Sequence, residues 1–83
     1  MASQITIERS DERPAWQVRV GGQLVGVVFR QRGEFRALQE GTASPLASRF
    51  TSREAAARAL ARRAGHRDFD PHVTELRPRT RPR

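Results

Sequence analysis

Residues 16–30 have the sequence WQVRVGGQLVGVVFR, and this stretch decides the fold. Apolar and polar residues alternate over residues 16–20, which is the period of a half-buried strand with Trp16 facing a core. Residues 23–30 are rich in β-branched side chains and apolar on both faces, as in a central strand, and Gly26 within them indicates a bulge or a close backbone approach. Gly21-Gly22 between them indicates a tight hairpin, because both glycines take positive φ without strain. The stretch therefore predicts two adjacent antiparallel strands.

Alternating residues on both sides extend this hairpin into a meander. Residues 4–8 alternate as a strand does, and a polar, turn-rich segment separates them from Trp16. Gln31-Arg32-Gly33 forms the next turn, and residues 34–38 form a further strand. Closely spaced hairpin signals of this kind predict an antiparallel sheet whose strands follow one another in chain order.

An Ala-rich helix is predicted after a polar loop. Thr51 and Glu54 match a capping box, in which each side chain reaches the backbone N–H of the other residue. Residues 55–64 are mostly strong helix formers, and Gly65 is a natural stop. We therefore predict an α+β fold, in which a three- or four-stranded antiparallel β-meander packs against one C-terminal α-helix.

The chain is predicted to divide at the end of this helix. Residues 1–65 form the sheet-plus-helix domain. Residues 66–83 comprise an irregular segment that packs onto the body and an Arg/Pro-rich tail from Arg77 onward. The tail has no aliphatic or aromatic side chain to bury except proline, so we expect it to be flexible and disordered.

All positive side chains except the two histidines are arginines: there are sixteen Arg and no Lys, and the net charge is +7. Arginine suits forked hydrogen bonds to phosphates, although a GC-rich coding bias would also favour it over lysine. Residues 1–48 hold six arginines against five acids, a net of +1. Residues 49–83 hold ten against four, a net of +6. The surplus therefore lies in the helix and tail, where an anionic partner is expected first.

The sequence argues against several classes of function. The chain has no Cys, no paired carboxylates at ligand spacing, no nucleophile motif and no phosphate loop. One sheet against one helix rarely encloses a pocket, so we expect no enzyme, no cofactor, no metal and no small-molecule substrate. No apolar run approaches a membrane span and no secretory signal begins the sequence. A cytoplasmic protein without membrane contact is expected.

Three segments carry a family resemblance. Gly26-Val27, residues 34–37 (EFRA) and residues 50–59 (FTSREAAARA) resemble the DNA-binding domain of plant ethylene-response factors and the arm-binding N-terminal domains of phage integrases. The resemblance covers about residues 23–64. It implies a three-stranded antiparallel sheet against one helix, with the open face of the sheet in the DNA major groove. An extra N-terminal strand would be added here, and Phe35 stands where these families commonly have Trp.

The candidate nucleic-acid-binding residues form three groups of arginines. On the sheet, outward-facing side chains are expected to contact phosphates or guanine edges. On the helix and in the tail, the arginines neutralise phosphates without sequence preference. Each could equally be a solvated surface residue. The residues are Arg19, Arg30 and Arg36 on the sheet, Arg53, Arg58 and Arg62 on the helix, and Arg77, Arg79, Arg81 and Arg83 in the tail.

Two functions remain open from the sequence. The first is a small nucleic-acid-binding protein, with DNA favoured over RNA as the partner. The second is a non-enzymatic protein-interaction module, such as a small phage- or plasmid-type modulator that docks on a larger, acidic host protein. The two differ in where the positive charge lies, because a sheet that reads DNA should carry more of the surplus than residues 1–48 do.

Overall fold

A computed structural model describes residues 2–10 and 14–76 of the chain. Five strands form one sheet, in the order β4-β3-β2-β1-β5. One helix, α1, packs on one face of this sheet. The elements are β1 (Ser3–Arg9), β2 (Ala15–Val20), β3 (Gln23–Gln31), β4 (Glu34–Gln39), α1 (Arg53–Arg63) and β5 (Phe69–Leu76).

The first four strands form the predicted antiparallel meander. β2 pairs with β1 on one side and β3 on the other, and β3 pairs with β4. Gly21 and Gly22 have φ values of 58° and 86°, as the tight hairpin requires. Trp16 is 7% exposed and lies in the core, where its ring meets that of Phe35 edge to face at 5.9 Å. The α+β class and the central sheet are confirmed.

Two predictions are wrong: that the sheet is entirely antiparallel, and that the helix is the C-terminal element. The sheet is mixed and α1 lies in mid-chain, because residues 69–76 form β5 parallel to β1 rather than an irregular segment. β5 pairs with the edge of β1 that β2 leaves open, with Ile5 opposite Val73. A register shift between Ser3 and Ile5 breaks the alternation in β5, so its sequence does not show a strand period.

The helix begins one residue later than the capping box predicts. Ser52, not Thr51, is the N-cap, and its Oγ accepts a hydrogen bond of 3.1 Å from the Ala55 backbone N–H. Gly65 follows the helix with a φ of 93°, which confirms the predicted stop. The face of α1 that meets the sheet consists of small residues and one leucine, and its buried members are Ala56, Ala57, Leu60 and Ala61.

Gly26 allows the helix to approach the sheet. The register of β2 and β3 shifts between Val18 and Arg19, as expected for a bulge at this glycine. A Cβ atom at Gly26 would lie 2.4 Å from the Leu38 carbonyl oxygen and 3.0 Å from Leu60 Cδ2. Leu60 therefore packs directly against the β3 backbone. Among the described residues, no helix has the length and apolar character needed to cross a membrane.

Candidate nucleic-acid interface

Exposed arginines collect at one end of the sheet. The strand register places Arg9 beside the start of β2, Gln31 beside the start of β4, and Leu76 beside Glu8. β1, β3 and β5 therefore end where β2 and β4 begin. We call this the basic end, defined by the exposed residues Arg9, Arg30, Arg32 and Arg49.

Arg49 reaches the basic end because the loop before α1 folds back along β4. Phe35 and Phe50 form an isolated antiparallel bridge, in which each backbone N–H donates to the other carbonyl at 2.9 Å. The Leu46 N–H donates to the Ala37 carbonyl at 2.8 Å. These bonds occupy the outer edge of β4 and fix residues 46–50 beside it.

Three arginines line one polar cavity at this end. The cavity has a volume of about 310 Å³ and lies between the β3–β4 turn and the segment that carries Arg49. We call it the arginine pocket, lined by Gln31, Arg32, Glu34, Arg36 and Arg49. With three guanidinium groups and one carboxylate, the pocket has a formal charge of +2. Such a lining can take an anion with several acceptor oxygens.

Arg36 holds the wall of the arginine pocket. Its Nη2 donates to the Leu46 carbonyl at 3.1 Å, and its Nη1 donates to Gln31 Oε1 at 3.3 Å. The Nε atom is buried and has no hydrogen-bond partner among the described residues. Two of the Arg36 donors are thus used within this chain, and Arg36 holds the pocket wall in place. The exposed Arg32 and Arg49 have more donors available for a bound anion.

Glu34, the carboxylate that lines the arginine pocket, forms only a weak ion pair with Arg49. Glu34 Oε2 lies 3.6 Å from Arg49 Nε, and the two side chains are 48% and 69% exposed. An ion pair with this exposure is screened by solvent and contributes at most about 1 kcal/mol. An incoming anion can therefore replace Glu34 beside Arg49 at little cost.

Arg32 occupies a backbone conformation that arginine rarely adopts. Its φ is 52°, and Gly33 after it has a φ of 79°. Two successive positive φ values in a two-residue hairpin are typical of a type I′ turn, in which Asn-Gly is preferred. Strained backbone of this kind clusters at binding sites. The turn thus places an arginine at the tip of the β3–β4 hairpin at a local cost in stability.

The sheet face opposite α1, which we call the open face, is apolar on β3 and β4 and polar on the central strand β2. The β3 side chains there are Leu24, Val27 and Phe29, and Leu38 of β4 lies beside Val27. All four are half-buried. Because the register places Glu8, Arg19, Glu34 and Arg36 on this face, its positive and negative charges balance.

The three sheet arginines do not share one face. Arg19 and Arg36 lie on the open face, as predicted. Arg30 does not, because it pairs with Phe35, whose ring packs on the core beneath α1. Arg30 is exposed at the basic end instead. A two-residue period along β3 places the Arg30 backbone position with the inward residue Val28, although the long side chain at the sheet end also borders the cavity beside Val27 and Phe29.

The helix arginines contact β5 and the core. Arg53 forms ion pairs with Glu54 and Glu75, and its guanidinium lies 5.1 Å from the centre of the Trp16 ring. Arg58 Nη1 donates to the Pro71 carbonyl at 3.1 Å. The Arg62 guanidinium lies 6.0 Å from the centre of the Phe69 ring. Their first role is thus to hold β5 against α1.

The tail candidates Arg77, Arg79, Arg81 and Arg83 lie outside the described residues. The sequence predictions also omitted Arg32 and Arg49. Arg32 had a local signal, since an arginine before Gly33 in a two-residue turn departs from the preferred Asn-Gly. Arg49 had none, because its place depends on the bridge between Phe35 and Phe50, which are far apart in sequence.

Comparisons of the chain with protein-family models, with curated proteins and with solved structures found no match. Within residues 2–10 and 14–76, no group of three His, Asp or Glu side chains could hold a metal ion. The candidate site is therefore defined by the geometry and charge of this chain's own residues.

Proposed function

We propose that this protein binds nucleic acid, with duplex DNA as the first partner, through phosphate contacts at the basic end of its sheet. The observation that carries the proposal is the arginine pocket, in which Arg32, Arg36 and Arg49 line one polar cavity. A guanidinium group offers paired N–H donors that match two oxygens of a phosphate. Arg32 and Arg49 donate to phosphate oxygens, and Arg36 keeps the pocket wall in place.

The direction of β5 extends this site. β5 ends at Leu76, which lies beside Glu8 at the basic end, and the sequence continues with four arginines in residues 77–83. The most basic segment of the chain is therefore attached at the same end of the sheet as the arginine pocket, but at the opposite edge, four strands away. Asp11, Glu12 and Arg13, between β1 and β2 in the sequence, have a net charge of −1 and lie outside the described residues. Phosphate contacts of this kind give affinity that is independent of sequence and falls steeply with salt.

The open face is a weaker candidate for reading DNA bases. Base recognition in the major groove uses hydrogen-bonding side chains such as Arg, Asn and Gln. The β3 and β4 part of the open face instead carries Val27, Phe29 and Leu38, and the charges of the face balance. The resemblance to ethylene-response factors and integrase arm-binding domains supports a DNA partner. The apolar surface of β3 and β4 favours contacts at the basic end over a sheet laid in the groove.

A salt-series binding assay tests the proposal. Fluorescence anisotropy of a labelled DNA duplex is measured with the wild type, with Arg32→Ala/Arg49→Ala, and with a truncation after Leu76. The double variant is expected to lower the slope of log affinity against log salt by about 2, since each phosphate contact contributes about 0.9. Arg63→Ala/Arg67→Ala is the matched control, because it removes two exposed arginines near the opposite end of the sheet.

The assay has three contradicting outcomes. Absence of salt-dependent binding by the full-length protein would remove the nucleic-acid proposal. Equal losses in the Arg32/Arg49 variant and in the Arg63/Arg67 control would show that net charge, rather than the basic end, determines binding. Loss of all binding on truncation would assign the affinity to the tail alone.

An acidic protein surface is the second candidate partner of the same pocket. The pairing of Glu34 with Arg49 is the observation that favours it, because a carboxylate is already accommodated beside these arginines. Titration with poly-glutamate at the same ionic strengths separates the two candidates. Tighter binding to poly-glutamate than to duplex DNA would favour a protein-interaction module.

A further inference from the structure

Two cavities adjoin where the open face reaches the basic end. One is the arginine pocket. The other is a shallow cavity of about 470 Å³, which we call the apolar cavity, lined by Pro14, Ala15, Val27, Phe29, Arg30 and Leu38. Phe29 of β3 is the direct cross-strand neighbour of Arg36 in β4, which lines the arginine pocket. The two cavities are therefore neighbouring parts of one surface.

Phe29 differs from the other phenylalanines of the chain. Phe35, Phe50 and Phe69 all pack against the buried core, whereas within the described residues Phe29 is not part of that packing. It is half-buried on the open face, and its cross-strand neighbour in β2 is Ala15, which has only a methyl group to place beside the ring. An accessible aromatic ring that does not serve the core is a candidate contact for a ligand.

Arg30 adds a cation to the border of the apolar cavity. Its backbone N–H donates to the Pro14 carbonyl at 3.1 Å, which fixes these two residues beside each other. The side chain of Arg30 is exposed. Planar guanidinium groups stack on nucleic-acid bases, as aromatic rings do. The apolar cavity therefore has two groups, the Phe29 ring and the Arg30 guanidinium, that suit a flat aromatic ligand.

The two cavities together select a ligand that joins a flat apolar group to an anion. Phe29 and Gln31 are successive residues on one face of β3, about 7 Å apart, and Gln31 lines the arginine pocket. A nucleotide spans such a distance, because a single sugar joins its base to its phosphate. The arginine pocket has a formal charge of +2, and the whole chain has a net charge of +7. A polyanion is therefore favoured over an uncharged ligand.

A base reaches the apolar cavity only when it is unpaired. In a duplex the neighbouring bases cover both faces of each base, whereas a single strand exposes its base faces together with its phosphates. An acidic peptide with apolar residues offers similar groups, but it must place them on separate side chains. Every nucleotide carries both. The page of contacts around Phe29 and Arg36 thus favours a single strand of nucleic acid.

We propose that the apolar cavity holds an unpaired base of a single-stranded nucleic acid, stacked on Phe29, while the adjoining phosphate lies in the arginine pocket. The phosphate contacts are those of the proposed function, on which this stacking site therefore rests. Val27 and Leu38 line the cavity beside the base, and Arg30 lies at its border. Stacking adds affinity to that of the phosphate contacts, and only the phosphate contacts weaken steeply with salt.

Single strands with and without bases test this site. Fluorescence anisotropy is measured over a salt series with three labelled probes: a DNA strand of about ten nucleotides, an abasic strand with the same number of phosphates, and a duplex. The full chain is compared with Phe29→Leu, which removes the ring but keeps an apolar side chain, and with Phe29→Tyr, which keeps the ring. Phe69→Leu is the matched control, because it makes the same change near the opposite end of the sheet.

The wild type is expected to bind the strand with bases about tenfold more tightly than the abasic strand, as one stacked base provides. Phe29→Leu should reduce this ratio several-fold and leave the salt slope unchanged. Phe29→Tyr and Phe69→Leu should keep the ratio. Melting temperatures confirm that each variant is folded.

Equal affinity of the wild type for the two strands would overturn the stacking site, and this comparison needs no variant. A ratio that folded Phe29→Leu retains would also overturn it, since the base would then stack elsewhere. Displacement of the strand by an alternating Leu-Glu peptide at lower concentration than by unlabelled strand would assign the apolar cavity to an acidic protein. Salt-dependent binding of the abasic strand and the duplex with no gain from bases would leave the proposed function standing. Absence of binding to all three probes would remove both.

Discussion

At the scale of the residue, the backbone strain at Arg32 relates the free energy of unfolding to the proposed binding of phosphate. Arg32 has a φ of 52° in a turn where Asn or Gly fits without a steric penalty. A residue with no binding role would gain stability by substitution to Asn. Arg32 also lines the arginine pocket, so the same substitution removes one of the proposed phosphate contacts. Local stability and binding are thus opposed at this one position.

Arg32→Asn is therefore expected to raise the free energy of unfolding by about 1 kcal/mol, because it relieves the left-handed backbone at the hairpin tip. It should also weaken binding to duplex DNA and lower the salt slope by about 1. Urea denaturation and anisotropy titration measure the two effects on the same preparation. A variant that is more stable and binds DNA as well as the wild type would show that Arg32 is only a surface residue.

Gly26 is the residue whose role the sequence predicted most closely. An interior glycine in an apolar strand indicates either a bulge or a close backbone approach, and here the Leu38 carbonyl oxygen is the backbone atom that lies where a Cβ atom would be. Both occur, since the register shifts beside Gly26 and Leu60 packs against it. The prediction succeeded because both effects follow from the missing Cβ. The N-cap was less well predicted, because Thr51 and Ser52 are adjacent and chemically alike, and only the backbone decides between them.

At the scale of the element, β5 depends on α1 as much as on the sheet. Arg53, Arg58 and Arg62 of α1 contact Glu75, the Pro71 carbonyl and the Phe69 ring of β5, respectively. β5 is an edge strand in which only Phe69 and Val73 are half-buried. The helix arginines therefore supply contacts that its exposed sequence does not. Arginines that hold the fold together therefore lie on the helix, which the sequence alone assigned to an anionic partner.

Removal of the two members of the Arg53–Glu75 pair should have unequal effects. Glu75→Ala is expected to lower the free energy of unfolding by less than about 1 kcal/mol, because the pair is partly exposed. Arg53→Ala is expected to lower it by about 1–2 kcal/mol, because the contact with Trp16 is lost as well. Urea denaturation measures both, with Arg67→Ala as an exposed control. Equal costs for the two variants would contradict a role for the contact with Trp16.

The elements that sequence reasoning recovered are those with local signals. β1 to β4 follow from alternation and turn residues that lie within a few positions of one another. β5 does not, because its partner β1 is more than sixty residues away and a register shift interrupts its period. The arginine pocket could not be predicted for the same reason. It depends on the bridge between Phe35 and Phe50, which brings Arg49 beside the β3–β4 turn. Pairing between distant segments has no local signature.

At the scale of the whole molecule, the directions of the strands determine where the positive charge lies, as well as the sequence does. The division into residues 1–48 and 49–83 assigns a net of +1 to the first part. The topology nevertheless brings Arg9, Arg30 and Arg32 from that part together with Arg49 and the end of β5. A chain with a modest surplus in its sheet therefore has one concentrated basic end. The open face adjoins this end, because Glu34 and Arg36 belong both to the open face and to the arginine pocket.

The position of bound DNA is the most direct test of the central claim. Backbone amide chemical shifts of the full chain are followed by NMR as a DNA duplex is added at low salt. The account predicts the largest changes at residues 31–36 and 46–49, which surround the arginine pocket. Largest changes at Arg19, Val27 and Leu38 on the open face would contradict it, and so would changes confined to residues 77–83.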